Sequence, residues 1–434
     1  MRRSRAPAVI RLALTGAAAC AIVSAAPPPA QLRPAAGVAP AGFAQALAPW
    51  TFAFPRDHGP HPQFRQEWWY VSGNLDAASG ERVGFELTFF RFALEPAPAA
   101  VAAPAAAPAP AAVPAPAAVP APAAVPAPAA VPAPAAASAW RTREIYLAHF
   151  ALTDVQRRRF RFAQKLSRAA LGLAGAQAAP LHVWIDDWSL EEAAGAQGGA
   201  QAVSAAPWRL RAAQPGYELE LTLQAQTPPV LNGEAGLSRK SAEPGDATYY
   251  YSIPRLAVHG RLIREGHPLR LQGLAWLDRE WGSGALSAQE AGWDWFALQL
   301  NDGTALMYYA LRNRDDTRDP HSAGTWVEAA GRSRPLSNEE VSIEVTDHWS
   351  NAQGTRYPAL WRLRVPALAL EVSVRPVLAD QELRTTPDYW EGAVDVSGAR
   401  AGRSIAGRGY VELVGYAPER SRHEETGVLG RLDR

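Results

Sequence analysis

The stretch Gly292-Trp293-Asp294-Trp295-Phe296-Ala297-Leu298-Gln299-Leu300, then Asn301-Asp302-Gly303-Thr304, then Ala305-Leu306-Met307-Tyr308-Tyr309-Ala310-Leu311-Arg312 reads as two strands joined by a tight turn. Asp-Gly supplies the positive φ of a hairpin turn at little cost. Outward from it the same grammar recurs. Short alternating or aromatic runs, bounded by Gly, Asn, Asp or Pro, stand at 67–74, 82–93, 144–154, 182–190, 208–212 and 218–224. A second series stands at 249–253, 256–264, 269–281, 325–328, 341–347, 361–365, 369–374, 389–396 and 407–416. Helical periodicity is scarce, with 166–173 the best short candidate. Many short strands with frequent turns imply sandwiches or barrels. Two sets of strands imply an all-β chain of two barrels in tandem, with the seam at 228–244.

Not all of the 434 residues belong to that fold. Residues 1–26 read as an export signal: Arg2, Arg3, Arg5 and Arg11, an apolar run, then Ser24-Ala25-Ala26. A periplasmic or secreted location follows. The single Cys, Cys20, lies inside this segment. A lipoprotein-type cleavage favours a larger aliphatic residue where Ala17 stands, so loss of Cys20 with the signal is preferred over lipid anchoring. Residues 96–137 contain only Pro, Ala and Val: 13, 24 and 5 of them. Thirteen prolines preclude helix or sheet, and no large side chain is present to bury. The segment reads as an extended spacer inserted between two strands of one barrel. The expected organisation is therefore a first barrel at 45–232 carrying that insert, a second at 240–418, and a tail at 419–434.

Charge excludes other classes. Lys+Arg is 43 against 42 Asp+Glu, a net +1 that falls to about −3 once the four arginines of the signal are removed. There is no basic footprint for nucleic acid. A single Cys leaves no disulfide framework or multi-cysteine metal site. Asp57-His58-Gly59-Pro60-His61 has no second His cluster at ligand spacing, so no metal is expected. Neither a phosphate loop nor a serine-nucleophile elbow is present, and Ser283 lacks the first Gly that an elbow requires.

All fifteen Trp survive these exclusions. They cluster with Tyr: Trp68-Trp69-Tyr70, Tyr249-Tyr250-Tyr251, Trp276 and Trp281, Trp293 and Trp295, Tyr389-Trp390. Neighbours on a strand point to opposite faces, so such clusters cannot all be core. Some must face a domain interface or a cavity wall. The densest polar stretch among them is Trp276-Leu277-Asp278-Arg279-Glu280-Trp281. There Asp278 and Glu280 share a strand face with Trp276. Asp294 is expected on the adjacent antiparallel strand of the same hairpin. A carboxyl among apolar rings has its pKa raised and donates protons near neutrality, and aromatic faces stabilise a developing cation. Acid plus aromatic box suits alkene protonation. The competing reading is structural, with Arg279 pairing one of these acids. Glu67, Glu391 and the mid-strand His149 are further polar residues in aromatic surroundings.

Phe54-Pro55-Arg56-Asp57-His58-Gly59, Glu67-Trp68-Trp69-Tyr70, Leu87-Thr88-Phe89-Phe90-Arg91, Ala148-His149-Phe150-Ala151-Leu152-Thr153-Asp154, Trp184-Ile185-Asp186-Asp187-Trp188, Tyr249-Tyr250-Tyr251-Ser252, Trp276-Leu277-Asp278-Arg279-Glu280-Trp281, Gly292-Trp293-Asp294-Trp295 and Tyr389-Trp390-Glu391-Gly392-Ala393-Val394 together resemble the AttH-like, carotenoid 1,2-hydratase-related lipocalin-like family, over about 50–418. The resemblance implies two lipocalin-like barrels packed together. It also implies cofactor-free hydratase chemistry, in which an acid protonates an alkene and water adds to the cation. Bacterial members are labelled secreted hydrolases. By that analogy Asp278 or Asp294 is the proton donor, Glu280 its orienter, and Trp276, Trp293 and Tyr250 the cation-facing walls. Trp281, Trp295, Glu67, Trp69 and Trp390 complete the expected ligand-binding set. The expected partner is a small apolar ligand, isoprenoid- or lipid-like, with no nucleic acid and no cofactor. Membrane proximity and oligomeric state stay open, as do a non-catalytic carrier role and a surface attachment role.

Overall fold

The computed structural model describes residues 42–96, 141–193, 207–284, 287 and 289–417. The export signal with Cys20, the insert beyond Pro96, and the tail from 419 lie outside the described residues.

Thirteen strands form a first sheet: β1 (Gln66–Asp76), β2 (Arg82–Ala93), β3 (Glu144–Asp154), β4 (Arg159–Arg168), β5 (Ala174–Ala178), β6 (Leu181–Ile185), β7 (Trp188–Glu192), β8 (Trp208–Gln214), β9 (Tyr217–Ala225), β10 (Val230–Leu231), β11 (Leu237–Arg239), β12 (Ala247–Arg264) and β13 (His267–Gly282). A second sheet of ten strands follows: β14 (Glu290–Leu300), β15 (Ala305–Asn313), β16 (Ala323–Val327), β17 (Ser333–Leu336), β18 (Ser342–Ser350), β19 (Arg356–Val365), β20 (Leu370–Pro376), β21 (Glu382–Leu383), β22 (Tyr389–Arg400) and β23 (Arg403–Val414). Every strand pairing is antiparallel, and each sheet curls into a barrel-like body. No α-helix occurs among the described residues.

Alternation builds each core. Val83, Phe85, Leu87 and Phe89 of β2 and Leu219, Leu221 and Leu223 of β9 point into the first barrel. Phe296, Leu298 and Leu300 of β14 and Trp361, Leu363 and Val365 of β19 fill the second. A third apolar cluster lies outside both barrels, where β1, β12 and β13 back onto β14, β15, β22 and β23. The middle strands therefore bury both faces. This resolves the aromatic doublets: Trp69, Tyr249 and Tyr251 point into the first barrel, whereas Tyr70 and Tyr250 face the seam. Polar bonds fix the seam as well. Gln299 Nε2 donates to the Pro254 and Ala275 carbonyls, Arg82 pairs with Asp395, and Arg408 pairs with Asp76.

The structure differs from the sequence reading in several places. The change of sheet falls between Gly282 and Glu290, not at 228–244. β12 and β13, expected in the second barrel, lie mid-sheet in the first, where β13 pairs with β1 and β12 with β9. The Pro-rich seam at 228–244 instead carries the short strands β10 and β11, both paired to β12. The helix expected at 166–173 is the end of β4 and a turn. Leu166, Leu171 and Leu173 imitate an apolar helix face but are exposed, and β4 is held by β3. The runs 249–253 and 256–264 are one strand with an irregularity between Ile253 and Leu256, where Pro254 has no N–H to donate. The expected Asp-Gly turn is present, with Gly303 at φ 89°. Ala93 and Glu144 face each other across β2 and β3, so the insert departs from and returns to a single hairpin.

Candidate active site

Register assembles the seam-facing side chains into rows. On the first sheet His149, Thr88, Tyr70, Asp278 and Ser252 are successive cross-strand partners on β3, β2, β1, β13 and β12. Leu147, Phe90, Trp68, Glu280 and Tyr250 make the next row. The second sheet answers with Tyr309, Trp295, Glu412 and Glu391 on β15, β14, β23 and β22. Tyr70 meets Trp295 edge-on, with centroids 4.9 Å apart. Between these rows lies a cavity of about 570 Å³ lined by Trp68, Tyr70, Phe90, Asp278, Trp293 and Glu412, among others. It is walled by the outsides of both barrels.

Asp278 is the best-prepared group in that wall. Ser252 Oγ and Tyr250 Oη each donate to its carboxylate at 2.5 Å, and Trp276 Nε1 donates at 2.7 Å. Burial still wins: it pushes the Asp278 carboxyl up to about 7, although the three donors favour the charged form. Trp295 Nε1 donates to Tyr250 Oη at 3.1 Å, so an ordered chain runs from Trp295 through Tyr250 to Asp278. Across the cavity Trp293 Nε1 donates to Glu412 at 3.0 Å, and burial pushes that carboxyl up to about 7 too. Glu280 accepts from the Thr248 hydroxyl and pairs with Lys240 at 3.0 Å. The Lys240 ammonium lies 4.2 Å from the Tyr309 ring centroid.

His149 closes the far end. Gln164 Oε1 accepts the Thr386 N–H at 3.0 Å and also faces His149 Nε2 at 3.2 Å. That network assigns the proton to Nε2, leaving Nδ1 to accept from Tyr389 Oη at 2.7 Å. Burial pushes His149 down to about 4, so the ring is neutral.

The expected site divides by strand parity. Trp276, Asp278, Glu280, Trp293, Trp295 and Tyr250 meet at the seam. Asp294 does not. β13 and β14 are not a hairpin but belong to opposite sheets, and Asp294 points into the second barrel. There Tyr416 Oη donates to it at 2.8 Å, and burial pushes it up to about 6 away from the cavity. Glu67, Trp69 and Trp281 point into the first barrel, and Trp390 into the second. Glu67 pairs with Arg279 at 2.5 Å and Arg91 at 2.9 Å. Burial alone would raise it, yet the two guanidiniums hold it well below the ordinary carboxylate range. Arg279 thus pairs with an acid on its own face and with neither Asp278 nor Glu280. Trp69 stacks under that guanidinium at 3.7 Å, Trp281 lies parallel to His61 with centroids 3.7 Å apart, and Trp390 Nε1 donates to the Ala379 carbonyl. These four are core residues. Glu412, Tyr70, Thr88 and Phe90 were not anticipated as site residues. Alternation marks them as one-sided, but only pairing distant in sequence reveals that the side is shared. Among the described residues no group of three or more His, Cys, Asp or Glu is placed to hold a metal ion.

The sequence model of the AttH-like family matches residues 45–416. The chain belongs to that family. An AttH protein of Nitrosomonas europaea has a similar structure, with TM-score 0.68 and 32% identity over 86% of this chain and 100% of that one. Kievitone hydratase from Nectria haematococca shares the AttH-like fold at 15% identity, with TM-score 0.58 over 87% of this chain and 97% of its own. In sequence, 218 residues are 24% identical to the dehydratase asqC of Emericella nidulans. That match takes in 48% of this AttH-like chain and 60% of the dehydratase.

Proposed function

We propose that this AttH-like protein is exported, binds an apolar alkene- or alcohol-bearing molecule between its barrels, and catalyses cofactor-free addition or loss of water with Asp278 as proton donor. The observation that carries the reading is a fully enclosed carboxyl, poised near neutrality by burial and aimed by three donors, in the wall of an aromatic cavity. Relatives named as a hydratase and a dehydratase point the same way, since one site runs both directions of one equilibrium.

In the hydration direction Asp278 gives its proton to one alkene carbon, and the other becomes cationic. The faces of Trp68, Trp293 and Trp295 offer it π density without a nucleophile. A water oxygen then bonds to the cationic carbon and releases a proton, which restores the Asp278 acid. Ser252, Tyr250 and Trp276 stabilise the carboxylate that exists between the two transfers. Dehydration is the same sequence reversed.

The test is incubation of the purified protein with lycopene, squalene and farnesol, read by mass spectrometry for gain or loss of one water. Turnover that disappears in Asp278→Asn, with the fold intact by circular dichroism, supports the reading. Ligand retained with no change of mass in the wild type leaves a carrier. Turnover that survives in Asp278→Asn removes the acid assignment.

A further inference from the structure

The seam-facing row does not end at Asp278. Its next members, Tyr70 and Thr88, line the same cavity, as does Glu391 opposite them on β22. Tyr70, Thr88 and Glu391 are 7%, 1% and 1% exposed. Tyr70 Oη, Thr88 Oγ1 and Glu391 Oε1 are buried without a well-aligned hydrogen bond among the described residues, although Tyr70 and Tyr389 lie close to Glu391 and Thr88 lies close to Glu86. A buried polar atom left unpaired is costly, and folded interiors rarely keep one. Here three converge on one end of one cavity. Asp278, by contrast, accepts from three donors of its own wall and keeps one lone-pair site for its proton.

The chemistry of the three atoms specifies what completes them. Glu391 sits beside Glu86 and Glu412, and burial pushes its carboxyl far above the ordinary range, so it carries its proton. Burial does the same to the Tyr70 phenol. Both therefore offer O–H donors, and the Thr88 hydroxyl both donates and accepts. The complement of two donors and one amphoteric hydroxyl is a neutral oxygen. Tyr389, clamped by neutral His149, holds the end of this wall in place.

We propose that Tyr70, Thr88 and Glu391 form an oxygen-binding subsite, so that the ligand is an apolar molecule carrying a hydroxyl or carbonyl oxygen rather than a plain hydrocarbon. Tyr70 and Thr88 stand one and two strand spacings from Asp278. The oxygen therefore lies about 5–10 Å along the sheet from the carbon that meets the acid. The inference rests on the reading of this cavity as an apolar-ligand site and adds what that ligand must carry.

The test compares farnesol, the matching hydrocarbon farnesene and farnesylamine, each titrated against the quenching of intrinsic Trp fluorescence, since Trp68, Trp293 and Trp295 line the cavity. Farnesol is expected to bind at least about tenfold tighter than farnesene, the scale of one satisfied buried hydrogen bond. Tyr70→Phe, Thr88→Val and Glu391→Leu are each expected to reduce that ratio while keeping the farnesene affinity, which also reports an intact cavity. Equal binding of farnesol and farnesene by the wild type overturns the subsite and leaves the apolar-ligand reading standing. Binding of none of the three overturns both. Farnesylamine binding tighter than farnesol shows that the acids read positive charge and overturns the neutral-oxygen assignment.

Discussion

Asp278 accepts three hydrogen bonds and still titrates near neutrality, because burial takes it out of water and the charge of Glu280 lies nearby. The two functions proposed for it need opposite conditions: donation needs the acid, and stabilisation of the intermediate state needs the carboxylate. The pH profile of turnover should show which limits. With Asp278 as donor, the rate is flat on the acid side and falls as pH rises through about 7. Ser252→Ala removes a donor that favours the charged form, so the fall should move up by about one pH unit, the value of one hydrogen bond to a charged group. A fall that moves down, or stays, contradicts the assignment. The same shift has a stability consequence. The folded-state value lies above the ordinary 3.8, so the folded state holds a proton that the unfolded state releases. The contribution of Asp278 is complete below about 4 and is lost as pH rises towards about 7. Thermal melts of wild type and Asp278→Asn should diverge across that window. Parity made Asp278, Glu280 and Trp276 legible as one face in the sequence. The partner hydroxyls of Tyr250 and Ser252 were not legible, because they arrive from β12 through tertiary pairing.

At the scale of the strand, the sequence shows that β14 alternates but not which side meets what. Its side is set by β23, more than a hundred residues away in the chain, which pairs Trp295 with Glu412 and Asp294 with Leu413. That is why Trp293 and Trp295 face the seam cavity while Asp294 faces the second barrel. β1 teaches the same lesson. Trp68 and Tyr70 belong to the seam, whereas Glu67 and Trp69, equally aromatic in context, belong to the barrel interior. Glu67 is there a structural anion between Arg91 and Arg279, all three fully buried. Glu67→Gln should leave Arg279 inside the barrel without its counter-charge, while Arg91 keeps Glu144 at 2.9 Å. Removing one partner of a buried ion pair costs about 3–5 kcal/mol. The carbonyls of Gly59 and Trp68 already accept from Arg279, so the lower end is expected here. Denaturant unfolding should show a lower midpoint, and well below that midpoint the variant should still bind farnesol. Loss of binding at unchanged stability would return Glu67 to the ligand site.

The two barrels share the cavity, and neither owns it. The all-β class, the two bodies and the position of the insert within one hairpin were legible from alternation, turns and composition. The boundary was not, because Pro228-Pro229 and Glu243-Pro244 look like a linker while the chain in fact returns to finish the first sheet. A pair of split proteins separates the two boundaries. A break at Ser287 leaves both sheets whole. Co-expressed halves should then associate through the apolar seam cluster and bonds such as Gln299 to Ala275 and Arg408 to Asp76, elute as one species, and retain the cavity. A break at Gly236 instead removes β12 and β13 from the middle of the first sheet, so β1 and β9 lose partners and the first core loses Leu256, Val258, Leu277 and Trp281. The piece ending there should be insoluble or fully protease-sensitive when expressed alone. A soluble, protease-resistant fragment ending at 236 would restore the earlier boundary. Failure of the Ser287 halves to associate would mean that the seam is too weak to hold the site without a continuous chain.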